Sequence, residues 1–81
     1  MIEVLVRGRF VPLDDASARR IAGNTWEIRI PDPASIARRT RRGASPEDWD
    51  GAVFVVDGAE TEPGVGSGGG PDHVVVTAWI V

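Results

Sequence analysis

The sequence predicts a small α+β domain. It reads as a sheet of about four strands with two short helices, in the order β-α-β-α-β-β, whose last two strands form an antiparallel hairpin around a long glycine-rich loop. Three observations predict this. Two runs, "AVFVVDG" (52–58) and "HVVVTAWIV" (73–81), are dominated by β-branched residues. Two earlier segments carry helix start and stop signals. The stretch between the runs, "AETEPGVGSGGGPD" (59–72), has no periodicity and is rich in Gly and Pro.

Along the chain, "IEVLV" (2–6) is a strand with Ile2, Val4 and Val6 on one face, and "RFVPL" continues extended as far as Pro12. "DDASARRIAGN" (14–24) reads as a short helix, capped by Asp14 or Asp15 and stopped at Gly23-Asn24. Its apolar face is thin: Ala18, Ile21 and Ala22. "TWEIRI" (25–30) alternates cleanly, with Trp26, Ile28 and Ile30 inward. "PDPASIARRTRRG" reads as a second helix, with Asp32 as N-cap, Pro33 at the first position and Gly43 as the stop. Ser45-Pro46-Glu47-Asp48 is a further start signal of capping-box type, predicting a single turn that tucks Trp49 against the core.

The totals bound the function. At 81 residues the chain makes one domain, 1–81, with 59–72 as a flexible tether. Chains of this size bury only about 60–65% of their unfolded surface, so stability is marginal. With no cysteine there is neither a disulfide nor a thiolate metal site. "MIEVLVRGRF" is neither a signal peptide nor a membrane span, which points to the cytoplasm by elimination. All nine basic residues are arginine, the mark of a GC-rich genome, so arginine has less special meaning here. A net charge of −3 and a pI near 4.9 argue against a nucleic-acid binder.

Four candidate sites stand out. Arg38, Arg39, Arg41 and Arg42 cluster at the end of the second predicted helix. There they complement the helix dipole, with Glu47, Asp48 and Asp50 close by, and they also offer a hot spot for an acidic protein partner. "GVGSGGG" matches a dinucleotide fingerprint in form only, because Pro71 and a strand follow it rather than a helix. No cofactor is expected. The carboxylates sit at helix starts as caps and show no metal-ligand spacing, so no metal is expected. His73, the only histidine, and Thr77 fall on one face of the last strand and could serve metal-independent acid–base cleavage of RNA. "VVVTAW" bears a likeness of a few residues to the closing strand of small RelE-type and barnase-like ribonuclease toxins.

The informative anomaly is the last strand, where both faces are apolar. Val74, Val76, Ala78 and Ile80 form one; Val75, Thr77, Trp79 and Val81 form the other. Such a strand is normally covered on both sides, and two thin helices cover one. A second copy, a protein partner or a further part of a longer chain is expected to cover the Val75–Trp79–Val81 face, with a homodimer as the simplest arrangement. The sequence therefore reads as a non-enzymatic protein–protein interaction domain, self-associating or of antitoxin or immunity type. A ribonuclease using His73, Thr77 and the arginines is the alternative.

Overall fold

The computed structural model describes residues 1–81. In chain order come β1 (Ile2–Val6), β2 (Arg9–Pro12), β3 (Ser17–Ala22) and β4 (Thr25–Pro31). A 3-10 turn, Pro33–Ile36, then runs into the one-turn helix α1 (Ala37–Thr40), and a second 3-10 turn spans Pro46–Trp49. Strands β5 (Phe54–Val56), β6 (Ala59–Glu60), β7 (Val65–Gly70) and β8 (His73–Trp79) complete the chain. They form two four-stranded antiparallel sheets, β2-β1-β5-β6 and β3-β4-β8-β7. The predicted α+β class and the β-α-β-α-β-β order are thus overturned in favour of a mostly β fold.

Local chemistry sets the hairpins. Arg7-Gly8 and Asp57-Gly58 take positive φ at both central residues (50° and 80°, 49° and 88°). That is the requirement of a type I′ turn, whose twist matches the strands it joins. Alternation does the rest. Ile2, Val4, Phe54 and Val56 point inward from the first sheet. Ile28, Ile30, Val74, Val76 and Ala78 point inward from the second, and the two faces meet in one buried cluster. The inner face of β8 is therefore covered by the other sheet, not by helices. At one end Trp49 plugs the core, fully buried and stacked on Phe54 with centroids 6.3 Å apart. Its Nε1 donates to the Gly43 carbonyl at 3.0 Å, and the capping box of Ser45 and Asp48 is formed as the sequence indicates.

Three element assignments are corrected. The segment read as a helix over 14–24 is β3, paired with β4. As a helix it would bury almost nothing, whereas as a strand it completes the sheet and turns Ala18 toward the core. The second predicted helix is reduced to the 3-10 turn and α1. Asp32 makes no side-chain cap there but adopts φ 45°, and the helix stops at Arg41 in the left-handed region, before Gly43. The two valine-rich runs are not a hairpin: β5 lies in the first sheet and β8 in the second.

The predicted tether over 59–72 is instead an extended run that crosses from sheet to sheet. Val56 pairs with Ala59, Thr61 bridges to Ile80, and Val65 pairs with Thr77. The glycines permit the crossing. A Cβ on Gly66 would overlap the Pro46 carbonyl, and the Gly66 N–H donates to Asp50 Oδ1 at 2.8 Å. The run therefore ties the second 3-10 turn to the underside of β7.

Candidate functional site

Because the two sheets cover each other's inner faces, the remaining features lie on the outside of the second sheet and along its free edge. The outer face of β8 carries His73, Val75, Thr77 and Trp79, all half-buried. On one side β4 places Arg29 opposite Val75, Glu27 opposite Thr77 and Thr25 opposite Trp79. On the other side β7 sets Gly68 opposite Val75 and Val65, half exposed, opposite Thr77. The glycine leaves bare backbone beside Val75. Trp49 lies in the core and β2 belongs to the first sheet, so neither covers this face. Both turns of helical character pack from the inner side or the flank: Pro46 meets Gly66 beneath β7, and Ile36 packs on the core.

Val75 and Trp79 thus share the outer face. Val81 does not belong to it as a strand position, because β8 ends at Trp79, Ile80 bridges to Thr61, and Val81 is 94% exposed. The four arginines separate into two kinds. Arg42 turns back on its own chain: Nη1 donates to the Asp48 carbonyl at 2.9 Å, and the guanidinium lies 5.8 Å from the centroid of the Trp49 ring. It is a clamp on the core plug. Arg38, Arg39 and Arg41 are exposed and make no ion pair within the chain.

His73 and Thr77 lie on one face as expected, but four strand residues separate them by about 13 Å, with Val75 between. That spacing sets the two side chains well apart along the strand. Each is also occupied. His73 Nδ1 lies 2.9 Å from Asp72 Oδ1, and this hydrogen bond holds the Asp72 carboxyl below its usual range. Thr77 Oγ1 donates to Ser67 Oγ at 2.8 Å, and Ser67 Oγ donates to the Val75 carbonyl at 3.4 Å. Ser67 is the extra residue of a bulge between Gly66 and Gly68, so the hydroxyl chain fastens that irregularity.

Two adjoining cavities open beneath β3, at the seam of the sheets. One, of about 380 Å³, has a floor of Ile2, Leu13 and Val56 beside Ala16 and Ala18, with Asp14 and Asp57 at its rim. The other, of about 140 Å³, shares Leu13, Asp14 and Ala16 and adds Asp15, Asp32 and Arg39. His73 and Thr77 line neither. Sequence reading missed this groove because it took Asp14 and Asp15 for helix caps. The Gly23-Asn24 pair, read as a helix stop, is equally a hairpin signal and was the available clue. No protein-family model, curated protein or solved structure matches the chain, and no helix is long and apolar enough to cross a membrane.

Proposed function

We propose that this chain is a non-enzymatic protein–protein interaction module, working through the outer face of the second sheet and self-associating there as a homodimer. One observation carries the reading: Val75 and Trp79 on β8 and the half-exposed Val65 on β7 lie together on the face turned away from the shared core. A tryptophan offers about 150–250 Å² of burial, which makes it the natural anchor of such a contact. The separation of His73 from Thr77 and the engagement of both side chains weigh against the ribonuclease alternative.

The face is small. Four strands of about seven residues cover roughly 450 Å², near half of what one partner contributes to a standard interface. Association through this face alone is therefore weak, with a dissociation constant of micromolar order or above. Sedimentation velocity over a dilution series from about 1 μM to 1 mM tests it. The expected result is a reversible shift to a larger species that Trp79→Ser weakens while the circular dichroism spectrum stays unchanged. A Trp79→Ser series identical to the parent rules the face out.

A further inference from the structure

We infer that the free edge of β3 is a second self-association surface, on which two copies pair antiparallel about a two-fold axis at Ala18 to make one continuous eight-stranded sheet. It goes beyond the outer-face reading and rests on different residues.

An edge strand presents unpaired N–H and C=O groups and is a template for another chain. Among the four sheet edges, β2 carries Pro12, β6 has two residues, and β7 is engaged by the second 3-10 turn through Gly66 and Asp50. β3 alone is six residues long with its edge uncovered, and all of it except Ala18 is exposed.

Charge along this edge is polar. At its start the groove carries Asp14, Asp15 and Asp32, none of which has an ion-pair partner, along with Asp57. The positive groups present there are Arg39 and the Met1 ammonium, the latter already on Asp57. At its other end stand Arg19, paired with Glu27 at 3.0 Å, and Arg20, which makes no ion pair. An edge that is acidic at one end and basic at the other complements itself when reversed.

A dyad perpendicular to a sheet joins two identical strands only in registers centred on a single residue. Centring on Arg19 or Arg20 sets arginine against arginine, which is repulsive. Centring on Ala18 sets Ala18 against Ala18, Ser17 against Arg19 and Ala16 against Arg20. Ala16 lines both cavities. The partner's Arg20 then lays its stem over the apolar floor and its guanidinium toward Asp14 and Asp15, an arrangement suited to an amphipathic cation. The arginines thus reject the registers centred on themselves and are neutralised in the one centred on Ala18. This dyad is perpendicular to the sheet, while a face-to-face contact uses an axis within the sheet plane, so the two contacts can coexist in a tetramer.

Sedimentation of the full chain with single and paired charge reversals tests the edge. Arg20→Glu should raise the dimer dissociation constant more than tenfold, and adding Asp14→Arg to it should restore association. Arg20 and Asp14 are exposed, so both variants should keep the parent circular dichroism spectrum. Trp79→Ser should leave an edge dimer, whose backbone amides over 17–22 become more protected from hydrogen exchange as concentration rises. Loss of association in Trp79→Ser with none in Arg20→Glu overturns the edge and leaves the face reading standing. The reverse pattern overturns the face alone. A chain that stays monomeric to about 1 mM overturns both.

Discussion

Arg42 and Trp49 show how two side chains can hold one end of this fold. Trp49 is fully buried, stacks on Phe54 at an interplanar angle of 9°, and spends its N–H on the Gly43 carbonyl. Trp49→Ala should cost about 3–5 kcal/mol, a large share of a small domain's total stability. Arg42→Ala removes a charge-assisted hydrogen bond and the cation over the ring, and should cost about 1–3 kcal/mol. Arg38→Ala, at an exposed position, should change stability by less than about 0.5 kcal/mol. Urea denaturation of the three variants checks the ranking. A comparable loss for Arg38 and Arg42 contradicts the division drawn among the arginines. At Asp72 the hydrogen bond from His73 comes first in lowering the carboxyl's pKa. A depressed carboxylate contributes its stability above the ordinary aspartate range and loses it as pH falls through the lowered value. Asp72 is fully exposed, so the observable is the titration itself. By carboxyl NMR its midpoint should lie below 3.8 and rise toward that value in His73→Ala.

The element that most changes the picture is β7, built from "VGSGGG". Two of its glycines give opposite expectations. A Cβ on Gly66 meets Pro46 backbone, whereas a Cβ on Gly68 meets nothing within 4 Å. Gly66→Ala must therefore push the second 3-10 turn off the sheet and should lower the melting temperature by many degrees. Gly68→Ala should be neutral or mildly stabilising, since it restricts the unfolded chain. Equal effects in thermal melts count against the packing of that turn under β7. Replacing "GVGSGGG" by two or three residues, harmless to a tether, should now prevent folding. The sequence made some of this legible and hid the rest for a physical reason. β1 and β4 announce themselves by alternation, β8 by its β-branched run, and the capping box announces the Trp49 turn. β7 has almost no side chains with which to signal a strand, so its pairing is decided by β8 and by the turn beneath it. β3 misleads in the other direction. Alanine and arginine favour a helix locally, but a strand is specified by its neighbours rather than by its own propensity. The outer-face positions of Val75 and Trp79 followed directly from the period of two. The acidic groove did not, because it depends on which ends of the two sheets meet.

At the scale of the whole molecule, each sheet is stitched by a pairing between distant parts of the chain. Val4 pairs with Phe54 and Ile28 with Val76, each across roughly fifty residues. The hairpins β1-β2 and β3-β4 can form locally, but isolated hairpins are marginal in water. Neither sheet has a buried face until the other is present, since both contribute to one cluster. Folding should therefore be a single cooperative step limited by long loop closure, on the millisecond-to-second scale typical of all-β domains. The strand that completes it is β8. It is hydrogen-bonded to β4 on one side and to β7 on the other, and its Val74, Val76 and Ala78 are fully buried. A chain ending at Asp72 keeps the whole first sheet, the Trp49 plug and the β3-β4 hairpin, yet it loses the inner layer against which Ile28, Phe54 and Val56 pack. It should be unfolded as a whole, with collapsed amide dispersion, rather than losing one strand from an intact remainder. Adding a synthetic peptide of residues 73–81 should restore dispersed signals in both sheets together. If the shortened chain instead retains native-like signals for β1, β2 and β5, the first sheet has a stability of its own, and the single shared core is the wrong description of this fold.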